Sequence, residues 1–380
     1  MARELREVEI TVDVWEPRLQ ELKKHAAFVK TPTDYENRPN VVGVVKGIGN
    51  GRSLILNGHI DVVSPEPVSA WSRDPWSATI ENGRLHGRGS WDMKGGLAAM
   101  IYAVKTICEL QIPLKGDVII ESVIEEEIGG PGGTLATILR GYRGDAAIIG
   151  EPPKSVCVVS AGVCWFRVRV TGKTEHAGQA HLGVNAIGKA MRMYQALLDL
   201  DAYRAESKHY PISEKFEARS CNLNVGTIRG GDWPSTVAGW AELECRVGWQ
   251  PIETMSQVKK EVEETVRKVA ESDPWMRNHP PVVEWFGWKA EASQTDVNSP
   301  IVHTLRRNAG QVLGSVPEIV GSSAADDTRW FVQYANVPAV SFGPDGGGLH
   351  GIDEYVIVDD LVALSKIYAL TVLDWCLQTR

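Results

Sequence analysis

Four short apolar runs along the chain are each followed by acidic residues or histidine. The runs cover residues 54–56, 118–124, 146–149 and 339–342. Continuous apolar runs of this length, with turn residues at their ends, are typical of strands buried on both faces of a parallel sheet. We therefore predict a mostly parallel sheet that carries a ligand site at the carboxyl ends of its strands.

Helical periodicity separates these runs. Apolar residues recur at helical spacing over residues 97–107 and 360–377, and the same spacing predicts a helix from Trp15 to about Val29. Asn82-Gly83 predicts a short hairpin. Strands that alternate with helices indicate the α/β class, here a mostly parallel sheet flanked by helices.

One long segment interrupts this pattern. Residues 164–286 combine one-sided strands with two amphipathic helices, at 185–198 and 254–271. One-sided strands are typical of an antiparallel sheet with one covered face. We predict one domain from residues 1–163 and 287–380, with an α+β domain of residues 164–286 inserted into it.

Composition and charge argue against several classes of function. The formal net charge is -8 over 380 residues and no block of Lys and Arg stands out, so we expect no nucleic-acid partner. No apolar run reaches the roughly 18 residues of a membrane span, and the start of the sequence lacks the apolar stretch of a signal peptide. This predicts a cytoplasmic protein without a membrane partner. The six cysteines form no C-x-x-C pair and are expected to be buried thiols.

Seven polar side chains collect at the predicted strand ends and at the glycine-rich loop 87–96. They are His59, Asp61, Asp92, Glu126, Glu127, Glu151 and His350. Several carboxylates that converge on one crevice would repel each other without a cation. Imidazole nitrogens and carboxylate oxygens suit zinc, or cobalt or manganese by substitution, so the pattern predicts a metal site.

The number of ligands suits two ions. If Asp92 bridges, each ion can take one histidine, the shared aspartate and one glutamate, and keeps room for water or substrate. Three carboxylates and a bridging hydroxide then balance two divalent ions. One glutamate is left over as the base that moves the proton of the water, and Glu126 suits that role. Asp61 would hold the tautomer of His59.

Five motifs together resemble the di-zinc amidohydrolase and peptidase family of acetylornithine deacetylase, succinyl-diaminopimelate desuccinylase, aminoacylase and bacterial glutamate carboxypeptidase. They are G-H-x-D-V-V from Gly58, G-R-G-x-x-D-M-K-G-G from Gly87, E-E-E-x-G-G from Glu125, G-E-P from Gly150 and H-G-x-D-E from His350. The resemblance implies two Zn²⁺ ions, the first held by His59, Asp92 and Glu151 and the second by Asp92, Glu127 and His350. It also implies that Glu126 is the base and that the peptide bond after Asp92 is cis.

The inserted domain carries further matches. Residues 172–176 resemble the family's G-x-x-x-H segment, whose histidine stabilises the oxyanion across a dimer, so His176 implies a homodimer and a dimerisation or lid role for the insert. Arg246 resembles the arginine that binds a substrate carboxylate. Asp327 and Arg329 resemble a D-x-R segment near the substrate. Residues 232–238 replace the family's Asn-x-x-Pro, which leaves the substrate contacts of this loop open.

Some assignments keep an alternative. Glu126 and Glu127 could exchange the roles of base and ligand, and His181 could take the place of His176. The tryptophans of the insert are interpreted as core and interface residues, with an aromatic or bulky acyl substrate as the other interpretation.

The predicted function is metal-dependent hydrolysis of an amide bond in an N-acyl amino acid or a related small amide. Alternatives on the same scaffold are a dipeptidase or carboxypeptidase acting on a dipeptide-like substrate, and a deformylase or deaminase of a ring compound. A non-catalytic binding protein is more remote, because the set of metal ligands is complete. The sequence does not identify the acyl group, the amine or the native metal.

Overall fold

In the computed structural model of the chain, residues 1–31 and 34–379 are described, and of residues 216 and 217 only the backbone. The strands are β1 Thr11–Trp15, β2 Asn40–Val45, β3 Leu54–His59, β4 Thr79–Glu81, β5 Arg84–His86, β6 Val118–Val123, β7 Ala146–Ile149, β8 Val156–Cys157, β9 Val159–Ser160, β10 Gly162–Thr171, β11 Leu223–Gly230, β12 Trp240–Trp249, β13 Val282–Ala290, β14 Ser293–Gln294, β15 Ile319–Val320, β16 Ala339–Ser341, β17 Gly346–Gly347 and β18 Tyr355–Ile357. The helices are α1 Ala2–Arg6, α2 Leu19–Leu22, α3 Gly95–Glu109, α4 Thr134–Arg140, α5 Ala186–Ser207, α6 Pro211–Glu217, α7 Met255–Ser272, α8 Pro300–Leu313, α9 Thr328–Trp330 and α10 Val358–Cys376.

The chain divides into two compact units. The larger unit contains Met1–Val159, Gln294–Val320 and Asp326–Arg380, and the inserted unit contains Ser160–Ser293 and Gly321–Ala325. The predicted dimerisation or lid role of the insert stays a prediction.

An eight-stranded sheet forms the centre of the larger unit. Its order is β1-β2-β6-β3-β7-β16-β8-β15, and the central strands β6, β3, β7 and β16 run parallel to their neighbours in that group. Strands β1 and β2 lie antiparallel at one edge. Every residue of β3, β6 and β7 is buried, which accounts for their apolar sequences. The predicted mostly parallel α/β sheet is confirmed.

Helices cover both faces of this sheet. On one face α10 packs against α3 and α8. On the other face α4, Trp330 and Phe331 pack against Ile55, Ile119 and Ala147. A sheet covered on both faces buries the side chains on both sides of each central strand, as the continuous apolar runs require.

Close contacts, one with backbone and one with a side chain, explain two glycines of the motifs. A Cβ atom on Gly96, in the first turn of α3, would lie 1.9 Å from the carbonyl oxygen of Gly150. A Cβ atom on Gly58 would lie 2.6 Å from the Cε of Met93. Only glycine permits the backbones of Gly96 and Gly150 to approach so closely. The start of α3 therefore lies directly against the ends of β3 and β7.

The inserted unit is an α+β structure, as predicted. Its sheet has the order β11-β12-β10-β13 and is antiparallel throughout. Alternate residues of β10, among them Phe166 and Val168, are buried in one core with Met193 of α5 and Val262 of α7. One covered face is the reason why these strands alternate in polarity.

The helix predicted over residues 15–29 is wrong. Trp15 ends β1, which pairs with β2, and only Leu19–Leu22 are helical in this stretch. Val12 and Val14 alternate with polar residues, which is the period of a strand. Pro17 in addition restricts the preceding residue to extended backbone, so a helix cannot run through this point.

Two further predictions concern the whole chain. Among the described residues, no helix combines the length and the apolar character that crossing a bilayer requires. The cytoplasmic location stays a prediction. The six cysteines are not in disulfide bonds, and all except the half-buried Cys108 are buried.

Adding a methyl group at Gly96 should destabilise the protein, whereas adding one at Gly188 should not. Gly96→Ala forces the backbones of α3 and Gly150 apart, and we expect a loss of roughly 1–3 kcal/mol in the free energy of unfolding. Gly188 is an exposed position in α5 with no atom within 4 Å of its added Cβ, so Gly188→Ala should gain roughly 0.5–1 kcal/mol. Urea titration of both variants measures the difference, and equal stabilities would contradict the close packing of α3.

Candidate metal centre

The predicted metal ligands lie at the carboxyl ends of the central strands. His59 is the last residue of β3. Glu126 and Glu127 follow β6, and Glu151 follows β7. His350 lies in the loop between β17 and β18. Because β6, β3 and β7 are adjacent and parallel, the residues after them meet at one edge of the sheet.

Asp92 reaches this edge from the glycine-rich loop before α3. The peptide bond between Asp92 and Met93 is cis, as the resemblance implied. One carboxylate oxygen, Oδ1, lies 3.1 Å from Nε2 of His59, and the other, Oδ2, lies 3.2 Å from Nε2 of His350. A carboxylate that presents one oxygen to each imidazole has the arrangement needed to bridge two ions.

Each imidazole also contacts a glutamate of its own. Nε2 of His59 lies 2.9 Å from Oε1 of Glu151, and Nε2 of His350 lies 3.0 Å from Oε2 of Glu127. These contacts bring together two sets of three side chains that share one aspartate. The sets are His59, Asp92 and Glu151, and His350, Asp92 and Glu127.

The two sets differ in exposure. The side chain of His59 is 1% exposed, whereas that of His350 is 54% exposed. The edge of the cluster at His350 is therefore open within the larger unit, and a substrate can approach from that side.

Glu126 lies beside the cluster but belongs to neither set. Its Oε2 is 4.0 Å from Nε2 of His59, and the side chain is buried. Burial raises the pKa of this carboxyl group well above its usual range, although the charge of His59 acts against it. A carboxyl group in such a site can accept a proton and release it again during a reaction.

The shifted pKa values of the cluster indicate that it can bind cations. Burial and the charge of Asp92 raise the pKa of Glu151 to about 8. Hydrogen bonds with Asp92 and Glu127 raise the pKa of His350 to about 10. Protons thus neutralise carboxylates that lie close together, and divalent ions can take their place. The ligand atoms of His59, Asp92 and Glu127 lie within 4.8 Å of one another, as do those of His59, Glu126 and Glu151, and nitrogen and oxygen donors of this kind fit zinc and similar metals.

Asp61 contacts both the buried histidine and the glutamate loop. Its carboxylate accepts the backbone N–H groups of Glu126 and Glu127, at 3.3 Å and 3.2 Å. Nδ1 of His59 lies 3.0 Å from the backbone carbonyl oxygen of Asp61 and 3.6 Å from its carboxylate. The closer contact to the imidazole is therefore through the backbone, while the side chain holds the loop that carries Glu126.

A buried polar layer lies next to Glu126. Asn57 donates hydrogen bonds to Oε2 of Glu121 at 2.8 Å and to Oγ1 of Thr134 at 2.9 Å. Thr134 donates to Oδ2 of Asp327 at 2.6 Å. Burial raises the pKa of Glu121 to about 7 and that of Asp327 to about 6. The sequence reasoning missed Asn57, Glu121 and Thr134, although a polar residue inside an apolar strand is a signal for such a layer.

Asp327 and Arg329 both lie in or beside this layer. They are 3% and 2% exposed, and the guanidinium carbon of Arg329 lies 4.0 Å from the centre of the Trp330 ring. Burial lowers the pKa of Arg329, while the charges of Asp327 and Glu126 act to raise it. The structure places both side chains close to the charge of Glu126, and their predicted contact with substrate stays a prediction.

The side chain of Glu125 has partners different from those of Glu126 and Glu127. Its φ of +71° turns the chain at the end of β6. Its carboxylate accepts hydrogen bonds from the hydroxyl of Tyr35 and the N–H of Gly132, both at 2.8 Å, and from the hydroxyl of Thr31. Glu125 therefore fastens the glycine-rich loop after β6 to the N-terminal part of the chain.

In the inserted unit, His176 presents a defined imidazole tautomer. It is exposed, and its Nδ1 accepts the N–H of Gly178 at 3.0 Å. When Nδ1 is an acceptor, the proton of a neutral imidazole lies on Nε2. Nε2–H is then the group that can donate to an oxyanion. His181, the alternative, is exposed in the short helical segment Ala177–Leu182, which His176 caps.

The altered loop 232–238 is bonded to the segment that carries His176. The N–H of Ala177 donates to the carbonyl of Ser235, and that of Val237 donates to the carbonyl of Glu175, both at 2.9 Å. A change of sequence in this loop therefore acts on the position of His176.

The arginine and the tryptophans of the insert lie in different surroundings. Arg246 of β12 is half-buried, and its Nη2 donates to the carbonyl of Ser323 at 3.4 Å. Trp249 is fully buried, whereas Trp233 and Trp240 are exposed. Only part of the tryptophan set therefore belongs to the core.

The geometry agrees with a family match that covers most of the chain. The profile described as Peptidase family M20/M25/M40 matches residues 55–374. The chain belongs to peptidase family M20/M25/M40. The resemblance found in the five motifs is thus confirmed, and the protein is a metal-dependent hydrolase that acts on C–N bonds.

Two relatives with clear sequence similarity are N-formyl-4-amino-5-aminomethyl-2-methylpyrimidine deformylases. That of Halalkalibacterium halodurans is 35% identical over 365 residues, which cover 90% of this chain and 84% of the relative. That of Bacillus subtilis is 33% identical over 363 residues, with the same two coverages of 90% and 84%. Among solved structures, the di-peptidase Dug1p of Saccharomyces cerevisiae shares the fold with a TM-score of 0.79 at 14% identity, over 100% of this chain and 90% of that one.

Binding of divalent ions by this M20/M25/M40 member should release protons. The pKa values of Glu151 and His350 are raised to about 8 and about 10, so at neutral pH both groups are mostly protonated and must lose a proton before they can bind a metal. Affinity for Zn²⁺ should therefore fall as the pH falls.

Titration calorimetry in two buffers with different ionisation enthalpies measures the protons released for each ion. His303→Ala, at an exposed position of α8, is a control that should leave the number unchanged. Heats that do not depend on the buffer would contradict the protonated state of the metal-free cluster.

Proposed function

We propose that the protein hydrolyses a small amide that joins a short acyl group to an amine, and that formamides of ring-bearing amines are its substrates. The observation that carries the proposal is the Asp92 carboxylate, which faces His59 with one oxygen and His350 with the other. The two deformylase relatives support the formyl group among the acyl groups that this chemistry permits.

The metal ligands proposed are the two sets that share Asp92. The first is His59, Asp92 and Glu151, and the second is Asp92, Glu127 and His350. Two Zn²⁺ ions, or Co²⁺ or Mn²⁺ in their place, would supply Lewis acidity to the amide carbonyl and to an attacking water.

Glu126 is the proposed base and acid of the reaction. It takes a proton from the water as the water oxygen bonds to the carbonyl carbon. It returns that proton to the nitrogen as the C–N bond breaks, so that the carboxylic acid and the amine leave. The backbone hydrogen bond from Glu126 to Asp61 and the nearby charge of Asp327 support the side chain in this role.

His176 is the proposed donor to the oxyanion. Its Nε2–H has the tautomer that this role requires. We propose that it acts in a homodimer, as the resemblance implied, and that a second copy of the chain supplies it.

A second candidate substrate is an N-acyl amino acid or a dipeptide. Arg246 favours it, because a guanidinium group can bind a carboxylate through two parallel hydrogen bonds. A formylated aminomethylpyrimidine carries no carboxylate. Only the second candidate substrate therefore needs Arg246 for binding.

A substrate panel tests the proposal. Zinc-loaded and cobalt-loaded protein is offered N-formyl-4-amino-5-aminomethyl-2-methylpyrimidine, N-acetyl and N-succinyl amino acids, and dipeptides. We expect formate release to have the highest kcat/KM. Arg246→Gln should leave this value unchanged, whereas it should raise KM for any substrate with a carboxylate.

Other results of the panel support other functions. Two free amino acids as the main products would favour a dipeptidase, and acetate or succinate would favour the N-acyl amino acids. Absence of turnover across the panel, in protein that holds its metal, would favour a binding protein.

Replacing Glu126 should separate catalysis from metal binding. Glu126→Gln removes the proton acceptor but no proposed ligand, so kcat should fall by roughly 10²–10⁴-fold while KM and the metal content stay close to those of the wild type. His350→Ala is the comparison variant and should lose one ion. Near-normal turnover in Glu126→Gln would move the role of base elsewhere, with Glu127 the first residue to test.

A further inference from the structure

Glu354 is a fully buried carboxylate outside the proposed metal ligands. It ends the H-G-x-D-E motif and lies four residues after His350. Its relative exposure is 0%. Burial of a carboxylate is costly unless the charge is paired and its oxygens accept hydrogen bonds, so its partners show what it does.

Both carboxylate oxygens bind the loop that leads to Asp92. Oε2 accepts from Nη1 of Arg88 at 2.7 Å and from the N–H of Gly89 at 2.9 Å. Oε1 accepts from the N–H groups of Trp91 and Asp92, at 2.8 Å and 3.1 Å. Four donors in the segment 88–92 thus converge on one side chain.

Arg88 extends the connection to the turn that carries His350. Its Nη2 donates to the carbonyl oxygen of Gly351 at 2.7 Å. The turn is tight, because the N–H of Gly351 donates to the carbonyl of Gly348 at 2.8 Å and His350 has a φ of +55°. Arg88 and Glu354 therefore link the backbone just before Asp92 to the backbone just after His350.

We propose that Glu354, together with Arg88, is a positioning residue that sets the separation between Asp92 and His350 and so controls binding of the second metal ion. This inference rests on the proposed metal ligands. It follows from the connections: the second set takes His350 from one loop and Asp92 from the other, and the Arg88–Glu354 pair joins the two loops. The first set takes two of its three ligands, His59 and Glu151, from strand ends that the pair does not contact, and shares only Asp92 with the second set.

The negative charge of Glu354 is needed for this arrangement. Each of its oxygens faces two hydrogen-bond donors, and an amide in its place would turn an NH₂ group towards one pair of donors. Glu354→Gln would also leave the buried Arg88 guanidinium without its counter-charge, which is strongly destabilising. A second variant is therefore required that keeps the charges.

Arg88→Lys is that variant. An ammonium group keeps the charge next to Glu354 but cannot present the planar pair of donors that reach Glu354 and Gly351 together. The backbone bonds from Glu354 to the Asp92 loop remain, so the lost contact is the one to the His350 turn.

Asp353→Asn is the matched control. The carboxylate of Asp353 accepts hydrogen bonds from the N–H and the hydroxyl of Ser72. These hydrogen bonds involve neither Asp92 nor His350. Its φ of +56° is one that asparagine tolerates.

The experiment is a titration of metal-free protein with Co²⁺, followed by calorimetry and by the visible spectrum of the bound ion, with the melting temperature measured in parallel. We expect two binding steps in the wild type and in Asp353→Asn. In Arg88→Lys, the second step should weaken by roughly 10–100-fold while the first step stays close to that of the wild type, and Glu354→Gln should weaken the second step more than the first. Excess Co²⁺ should restore kcat in Arg88→Lys.

The outcomes separate this inference from the proposed function. A wild type with two steps and an Arg88→Lys variant with the same two affinities would overturn the positioning role and leave the metal centre in place. Equal weakening of both steps together with a lower melting temperature would show a general structural role instead. A wild type that binds no divalent ion would overturn both proposals.

Discussion

Asp92 can face two imidazoles at once only because three separate parts of the chain meet around its carboxylate. His59 comes from the end of a central strand, His350 from a loop far along the chain, and Asp92 itself from the loop before α3. The contact between Gly96 and Gly150 lets α3 start against the sheet, and this brings Asp92 to the strand ends. The fold is thus arranged so that one side chain can serve two ions.

The convergence of buried carboxyl groups at this edge of the sheet costs electrostatic free energy. The proposed function depends on how that cost is offset. Carboxyl groups such as Glu151 are brought together where burial disfavours their charge, which raises the pKa. In the proposed metal centre, a divalent ion in each set would relieve this repulsion and would supply Lewis acidity at the open edge near His350. Glu126 stays outside both sets, so its carboxyl group keeps the freedom to move a proton.

The sequence predicts the parts of this site that depend on local pattern. Apolar runs fix where the central strands end, and the residues just after them, such as His59 and Glu151, follow directly from that. The helix predicted over residues 15–29 failed because Trp15 pairs with Asn40 of β2 and Pro17 restricts the residue before it to extended backbone. Asn57 is a polar residue inside an apolar strand and so carries a signal, but the partners of Asn57 and of Glu354 could not be assigned, because they lie far away in the sequence and only the folded chain shows the pairing.

The three glutamates after β6 show what a local sequence pattern can predict and what it leaves open. The sequence alone allows Glu126 and Glu127 to exchange roles, because neighbouring residues in a short run carry the same chemistry. The positive φ of Glu125 and the two hydrogen bonds from the backbone to Asp61 fix the direction of the chain after it. Glu127 then lies 3.0 Å from His350, while Glu126 stays 4.0 Å from His59, and these distances favour Glu127 as the ligand and Glu126 as the base. The proposed division of roles therefore rests on a backbone turn and one aspartate, and not on the glutamates themselves.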